Sequence, residues 1–219
     1  MKLVDRCVFV GGFGSSEETV VPVAHALEQR GDYKSIEAIG FSEARKNPEI
    51  FGRMTADAAA ILTHSAGVLL ALDSAPNGQE IHAIAPPIRR SAIELATART
   101  VRKAITMHRN IDTTLRRIAV QHYERASARE LLHHPFANFS QLGRIASFDV
   151  RDQSGFNRPF YVGLMDQDEF FGMSEEDYQT LIGYGNNVQY FPLAGEHDEL
   201  LLDPQMTLDE YYARLSEVY

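Results

Sequence analysis

Four short segments of this chain hold residue types that do chemistry together. Thr63-His64-Ser65-Ala66-Gly67 sets a serine among small residues. Gly163-Leu164-Met165-Asp166 ends on a carboxylate, with Asp168 close behind. Gly195-Glu196-His197 ends on a histidine, followed by Asp198. Gly11-Gly12-Phe13-Gly14 is a glycine-rich turn near the N-terminus. A serine hydroxyl is a poor nucleophile at neutral pH and needs an adjacent base. Histidine titrates in the right range for that task. A carboxylate behind the histidine orients the ring and stabilises its protonated form. Serine, aspartate and histidine follow one another in that chain order here, which makes nucleophilic catalysis the chemistry to weigh.

Such residues act only if the fold gathers them. Val8 to Val10 is an apolar run that ends in the first glycine turn; Ser15, Ser16, Glu17 and Glu18 then open a helix, acidic residues being favoured at a helix N-terminus. Val20, Val23, Ala24 and Leu27 carry that helix at helical spacing to about Gly31. Ser35 to Ile39 reads as a second strand, closed by Gly40. A polar stretch with Pro48 leads to a short helix around Ile50 to Ala56. Ala59 to Thr63 is a third strand, with a helix from Ala66 to Leu72 after it. Ile81 to Ala85 is a fourth strand, stopped by Pro86-Pro87. From Ile88 to about Ala137 the patterns are helical, with no strand among them. Pro159 to Leu164 is a fifth strand, Ser174 to Gly183 a helix, Val188 to Phe191 a sixth strand, and Thr207 to Tyr219 a final amphipathic helix. This alternation predicts an α/β fold: a mostly parallel sheet of about six strands with helices on both faces. Sites in such sheets form beyond the carboxyl ends of the strands. The four segments follow the first, third, fifth and sixth predicted strands.

The stretch ILTHSAGVLL resembles the nucleophile elbow of the α/β-hydrolase family, written G-x-S-x-G, with Thr63 in place of the first glycine. The geometry explains the pattern: a sharp strand-to-helix turn lifts the serine hydroxyl clear of the sheet, and small neighbours keep strand and helix from colliding. The likeness runs across most of the chain and implies the α/β-hydrolase fold, with Ser65 as nucleophile. AGEHDELL is similar to the family's histidine loop, which makes His197 the base. The family's acid lies three residues after a glycine that ends a strand, which points to Asp166; Asp168 is the alternative acid and Asp198 a weaker third. VGGFGSS is similar to the family's H-G-x-G turn, with Gly11 replacing its histidine. The implied oxyanion donors are the backbone N–H groups of Phe13 and Ala66, each worth roughly 3 kcal/mol in the transition state. His64 is expected to pack behind the elbow. The implied activity is cleavage of a small-molecule ester or thioester through an acyl-enzyme, carboxylesterase first. Thioesterase, amidase, a lyase with the same triad, and a non-catalytic binding protein on the same fold are the alternatives.

The whole chain sets bounds on this reading. Its 219 residues, 44% hydrophobic and 23% charged, suit one globular domain. A formal net charge of -9 argues against binding nucleic acid or an anionic membrane through bulk charge. The single cysteine, Cys7, lies in a strand-like run and cannot form an internal disulfide or a cysteine-rich zinc site. No run approaches the ~20 apolar residues of a membrane span, and the start reads as a strand rather than a signal peptide; a cytoplasmic location is expected by default. The glycine turn lacks the G-x-G-x-x-G spacing and no Walker lysine follows it, which disfavours a nucleotide site. No cofactor and no metal are expected.

Charge is unevenly distributed. Residues 88–145 hold 11 Lys and Arg against 4 Asp and Glu, out of 21 and 30 in the whole chain. We read residues 1–87 and 146–219 as the hydrolase core and 88–145 as a helical cap inserted between the fourth and fifth strands. The plain reading of its arginines is solvated helix faces and salt bridges to the acidic body. The sharper one is recognition of an anionic substrate group through forked guanidinium donors. The insertion also holds His108, His122, His133 and His134; adjacent His133 and His134 diverge and have no carboxylate set beside them, so no metal site is expected there.

Overall fold

The computed structural model describes residues 4–74, 79–88, 125, 141, 143–149, 158–168, 170–171 and 188–218. Six strands form one sheet: β1 (Val4–Val10), β2 (Tyr33–Ile39), β3 (Ala60–His64), β4 (Glu80–Ile84), β5 (Phe160–Met165) and β6 (Val188–Leu193). The order across the sheet is β2-β1-β3-β4-β5-β6, and every neighbouring pair is parallel. The carboxyl ends of all six therefore face the same way.

Burial on two faces explains the strand sequences. β3 and β5 are buried along their whole length, and both read as unbroken runs rather than alternating ones. The two-residue period still sorts the side chains between two cores. Val8 and Val10, Ile61, Ile81, Phe160 and Val162 share one core with Phe41, Phe51 and Val68. Cys7 and Phe9, Leu62, Tyr161 and Phe191 share the other with Val20, Leu27, Leu208 and Tyr211. The first core is closed by α2 (Phe41–Lys46), α3 (Pro48–Ala56) and α4 (Gly67–Ser74), the second by α1 (Glu17–Arg30) and α6 (Pro204–Val218). A one-turn helix, α5 (Glu199–Leu202), precedes α6.

The helix ends follow local chemistry. Ser16 starts α1: its backbone N–H donates to Thr19 Oγ1 at 2.9 Å, and the Thr19 hydroxyl donates back to the Ser16 carbonyl. Gly31 ends α1 in the left-handed region at φ 69°, its N–H on the Glu28 carbonyl. On the far side of the sheet the Tyr211 hydroxyl meets His82 Nδ1 at 2.9 Å, tying α6 to β4.

All six predicted strands are present, and the sheet is wholly parallel rather than mostly so. The polar stretch after Gly40 is the helix α2, anchored where Ser15 Oγ accepts the Phe41 N–H at 3.0 Å. The helix expected from Ser174 to Gly183 lies outside the described residues. So does most of the stretch 88–145 expected to form a helical cap, of which residues 88, 125, 141 and 143–145 are described.

Candidate active site

The site stands at the carboxyl ends of β1, β3, β5 and β6. Ser65 is the first residue after β3, and its backbone is left-handed at φ 49°. Non-glycine residues rarely adopt that region, and its occupants cluster where the strain is used. The turn is held by the Ser65 N–H on the Ile84 carbonyl, 2.9 Å, at the end of β4. Gly67 opens α4 hard against β1: a Cβ there would stand 2.6 Å from the Val10 carbonyl oxygen and 2.7 Å from that of Gly11. Thr63 takes the place of the motif's first glycine without conflict; its side chain is fully buried and its hydroxyl donates to the His82 carbonyl of β4 at 3.3 Å.

His197 follows β6 and reaches Ser65. Its Nε2 is 2.8 Å from Ser65 Oγ, and its Nδ1 is 2.7 Å from Asp168 Oδ2. All three side chains are buried, with 6–7% of each residue exposed. Asp168 is doubly anchored. Its other oxygen, Oδ1, accepts the backbone N–H groups of Phe170 and Phe171, both at 2.8 Å. The rings of those two phenylalanines lie 5.1 and 5.2 Å from the His197 ring. The carboxylate can only accept, so His197 carries its proton on Nδ1 and turns a bare Nε2 toward the serine hydroxyl.

Asp166, the acid expected from the spacing, does not reach His197. It is exposed, and its Oδ1 accepts the Gly195 N–H at 2.9 Å. The reason is local. The spacing assumed that Gly163 ends the strand, but Gly163 lies inside β5, paired with Ile84 and Phe191. It is a packing glycine: a Cβ there would meet Leu193 Cδ1 at 2.5 Å and Tyr211 Cδ2 at 3.2 Å. The strand continues to Met165, and three residues past Gly163 is only the first residue of the turn. The turn closes with Asp168 N–H on the Met165 carbonyl, 3.4 Å, which brings Asp168 under the histidine. Asp198 is buried beside His197 at the start of α5.

The other two expected residues are Ala66, which directly follows Ser65, and Phe13 of the β1 turn. Ala66 is fully buried at the start of α4, and Phe13 packs edge-on against Phe41 with ring centroids 5.7 Å apart. Neither backbone N–H has a hydrogen-bond partner among the described residues. The glycine turn lies directly on the elbow: a Cβ on Gly12 would stand 2.8 Å from Ser65 Cβ and 2.9 Å from His64 Nδ1.

His64, expected to pack behind the elbow, is 1% exposed. Its Nε2 lies 2.8 Å from the backbone carbonyl of His197, and the two imidazole rings are 5.2 Å apart. A carbonyl only accepts, so Nε2 carries the proton. Burial, and then the nearby His197, lower the His64 pKa to about 4 from the ordinary 6.5, so the ring is neutral at pH 7. His64, His197 and Asp198 approach one another closely enough to share an ion. However, both His197 nitrogens are engaged by Ser65 and Asp168, and His64 Nε2 is engaged by a carbonyl. The collar of Phe170 and Phe171 around the His197 ring has one signal in the sequence, an aromatic pair soon after Asp168.

Solved structures share this architecture. The RedJ thioesterase of the prodiginine biosynthetic pathway in Streptomyces coelicolor matches at a TM-score of 0.58 and 16% identity, over 99% of this chain and 91% of that one. The N-formylmaleamic acid deformylase of Pseudomonas putida S16 matches at 0.58 and 11%, over 94% and 90%. A hydrolase from Pseudomonas aeruginosa PA01 matches at 0.58 and 12%, over 98% and 90%. No protein-family profile and no curated protein matches the chain. At these identities the likeness speaks for the fold: this is a protein of the α/β-hydrolase fold.

Proposed function

We propose that the protein is a serine hydrolase that cleaves a carboxylic ester or thioester through an acyl-enzyme, a carboxylesterase first. The observation that carries this reading is the continuous relay from Ser65 Oγ to His197 Nε2, 2.8 Å, and from His197 Nδ1 to Asp168 Oδ2, 2.7 Å. In the mechanism Ser65 attacks the carbonyl carbon while His197 takes the hydroxyl proton. Asp168 keeps the ring in the productive tautomer and stabilises the imidazolium. The Phe13 and Ala66 amides, which have no partner among the described residues, would hold the developing oxyanion, aided by the N-terminus of α4. His197 then returns its proton to the leaving group. It next takes a proton from the water that attacks the acyl carbon, then passes it to Ser65 Oγ as the bond between the acyl carbon and Oγ breaks and the acid leaves.

A fluorophosphonate probe with adduct mapping by mass spectrometry tests this. Labelling is expected on Ser65 and is expected to vanish in His197→Ala. Folded protein that is not labelled at Ser65 would overturn the reading. The substrate chemistry rests on composition: the 11 basic residues of 88–145, which we read as a cap, support an anionic ester or thioester.

A further inference from the structure

Consecutive residues of the elbow grip one residue of the histidine loop. Ser65 meets the His197 side chain, and His64 meets the His197 backbone, each across 2.8 Å. We propose that His64 is a positioning residue for the Ser65–His197 couple: its Nε2–H, donated to the His197 carbonyl, fastens the histidine loop to the elbow and sets the reach of the base. The inference rests on the serine-hydrolase reading and extends it.

Three features separate this from space filling. The first is where the bond lies. Asp168 fixes the ring of His197 through Nδ1, and Asp166 Oδ1 and the Gln167 N–H tie Gly195 to the β5 turn, but none of these bonds reaches the peptide of His197 itself. The His64 bond fixes it from the same turn that carries the nucleophile, so elbow and base move together. A displacement of about 1 Å between reacting groups can cost about 100-fold in rate.

The second is the state of the ring. His64 is held in one tautomer by a carbonyl that can only accept. It is also kept uncharged, so it adds no positive charge beside His197 when that ring becomes an imidazolium. The groups that face it are His197, Asp198 and Asp168; the two carboxylates oppose the lowering that burial and His197 impose.

The third is a standing cost. With the proton on Nε2, His64 Nδ1 is a bare acceptor, buried and without a partner among the described residues, turned toward Gly12. A buried polar atom left unpaired forfeits its hydration without replacing it and so destabilises the fold. An apolar side chain of similar size would fill the space without that cost, so the histidine is there for its donor.

The test is a set of variants read by the rate of fluorophosphonate labelling at Ser65, with kcat and KM on a p-nitrophenyl ester. His64→Leu keeps the bulk and removes the donor; labelling and kcat are expected to fall about 10- to 100-fold with KM nearly unchanged. In His64→Gln the amide Nε2 matches the reach of the imidazole Nε2, and both rates are expected to return to within about 3-fold of wild type. His64→Asn has a donor too short to reach and should remain slow. If His64→Leu does not fold, the Gln and Asn pair decides alone. Folded His64→Leu labelling at the wild-type rate, or Gln as slow as Asn, would overturn the proposal. Wild-type protein that is not labelled at all would instead sink the serine-hydrolase reading beneath it.

Discussion

At the residue scale, Asp166 and Asp168 stand two positions apart in sequence, and their environments part them. Asp168 is buried, with one oxygen on His197 and the other on two backbone amides. Asp166 is exposed and supports the Gly195 N–H. Asp168→Asn places an amide against His197 Nδ1 and favours the wrong tautomer, so kcat/KM should fall by about 10³ to 10⁴. Asp166→Asn keeps an oxygen for Gly195 and should cost less than about 10-fold by the same steady-state assay. The reverse ranking would restore Asp166 as the acid. His64 makes a separate prediction about stability. Its pKa is about 4 in the fold against 6.5 for the free side chain. Between those values the unfolded chain binds a proton that the native protein does not, so stability is lost as pH falls through 6.5 and the loss is complete below about 4. From pH 7 to pH 5 this one group should remove about 2 kcal/mol. Urea unfolding of wild type and His64→Gln at both pH values isolates it: the wild type should lose about 2 kcal/mol more than the variant, and equal losses would contradict the shift.

At the scale of elements, the glycines of the β1 turn and of α3 have opposite meanings. Gly12 has no room for a methyl group, since its Cβ would meet Ser65 and His64 at under 3 Å. Gly12→Ala should therefore push the elbow aside and slow Ser65 labelling at least ~100-fold. A Cβ on Gly52, inside α3, would meet nothing within 4 Å among the described residues, so Gly52→Ala should leave labelling unchanged and stabilise the helix by about 0.5–1 kcal/mol in thermal or urea unfolding. What the sequence made legible follows the same division between local and tertiary causes. β3 and β5 were readable because burial on both faces demands largely apolar runs, as in Ala60–His64 and Phe160–Met165, while the edge strand β2, half exposed, offered only Ile36, Ala38 and Ile39 among polar residues. Ser65 and His197 stood out in the sequence because each comes soon after a strand-like run, and the fold sets the two side chains 2.8 Å apart. The helices α2 and α5 were not, because six and four residues are too few to show a helical period. The sequence pointed to Asp166 and the fold sets Asp168 against His197; the difference arises at Gly163, which looks like punctuation in sequence and is packing space for Leu193 in the fold. The His64 bond was out of reach for the same reason: it joins residues 133 positions apart.

At the scale of the whole molecule, charge sets a test with a definite sign. The chain carries a net charge of -9, and 26 of its 30 acidic residues lie outside 88–145. An anionic substrate approaching such a molecule is repelled on average, and added salt would screen the repulsion and speed its capture. If residues 88–145 stand over the site, the local field reverses: 11 basic and 4 acidic residues would draw the anion in, and salt would slow it. The comparison is kcat/KM for a p-nitrophenyl ester with a terminal carboxylate on its acyl chain against a neutral ester of the same length, at about 20 mM and about 300 mM ionic strength. The Debye length falls severalfold over that range, so only a field at the site survives as a difference between the two esters. We expect the charged ester to be favoured at low salt and its advantage to shrink at high salt, with the neutral ester unchanged. A charged ester that is faster at high salt would place the acidic body in control of the approach and remove the case for an anionic substrate.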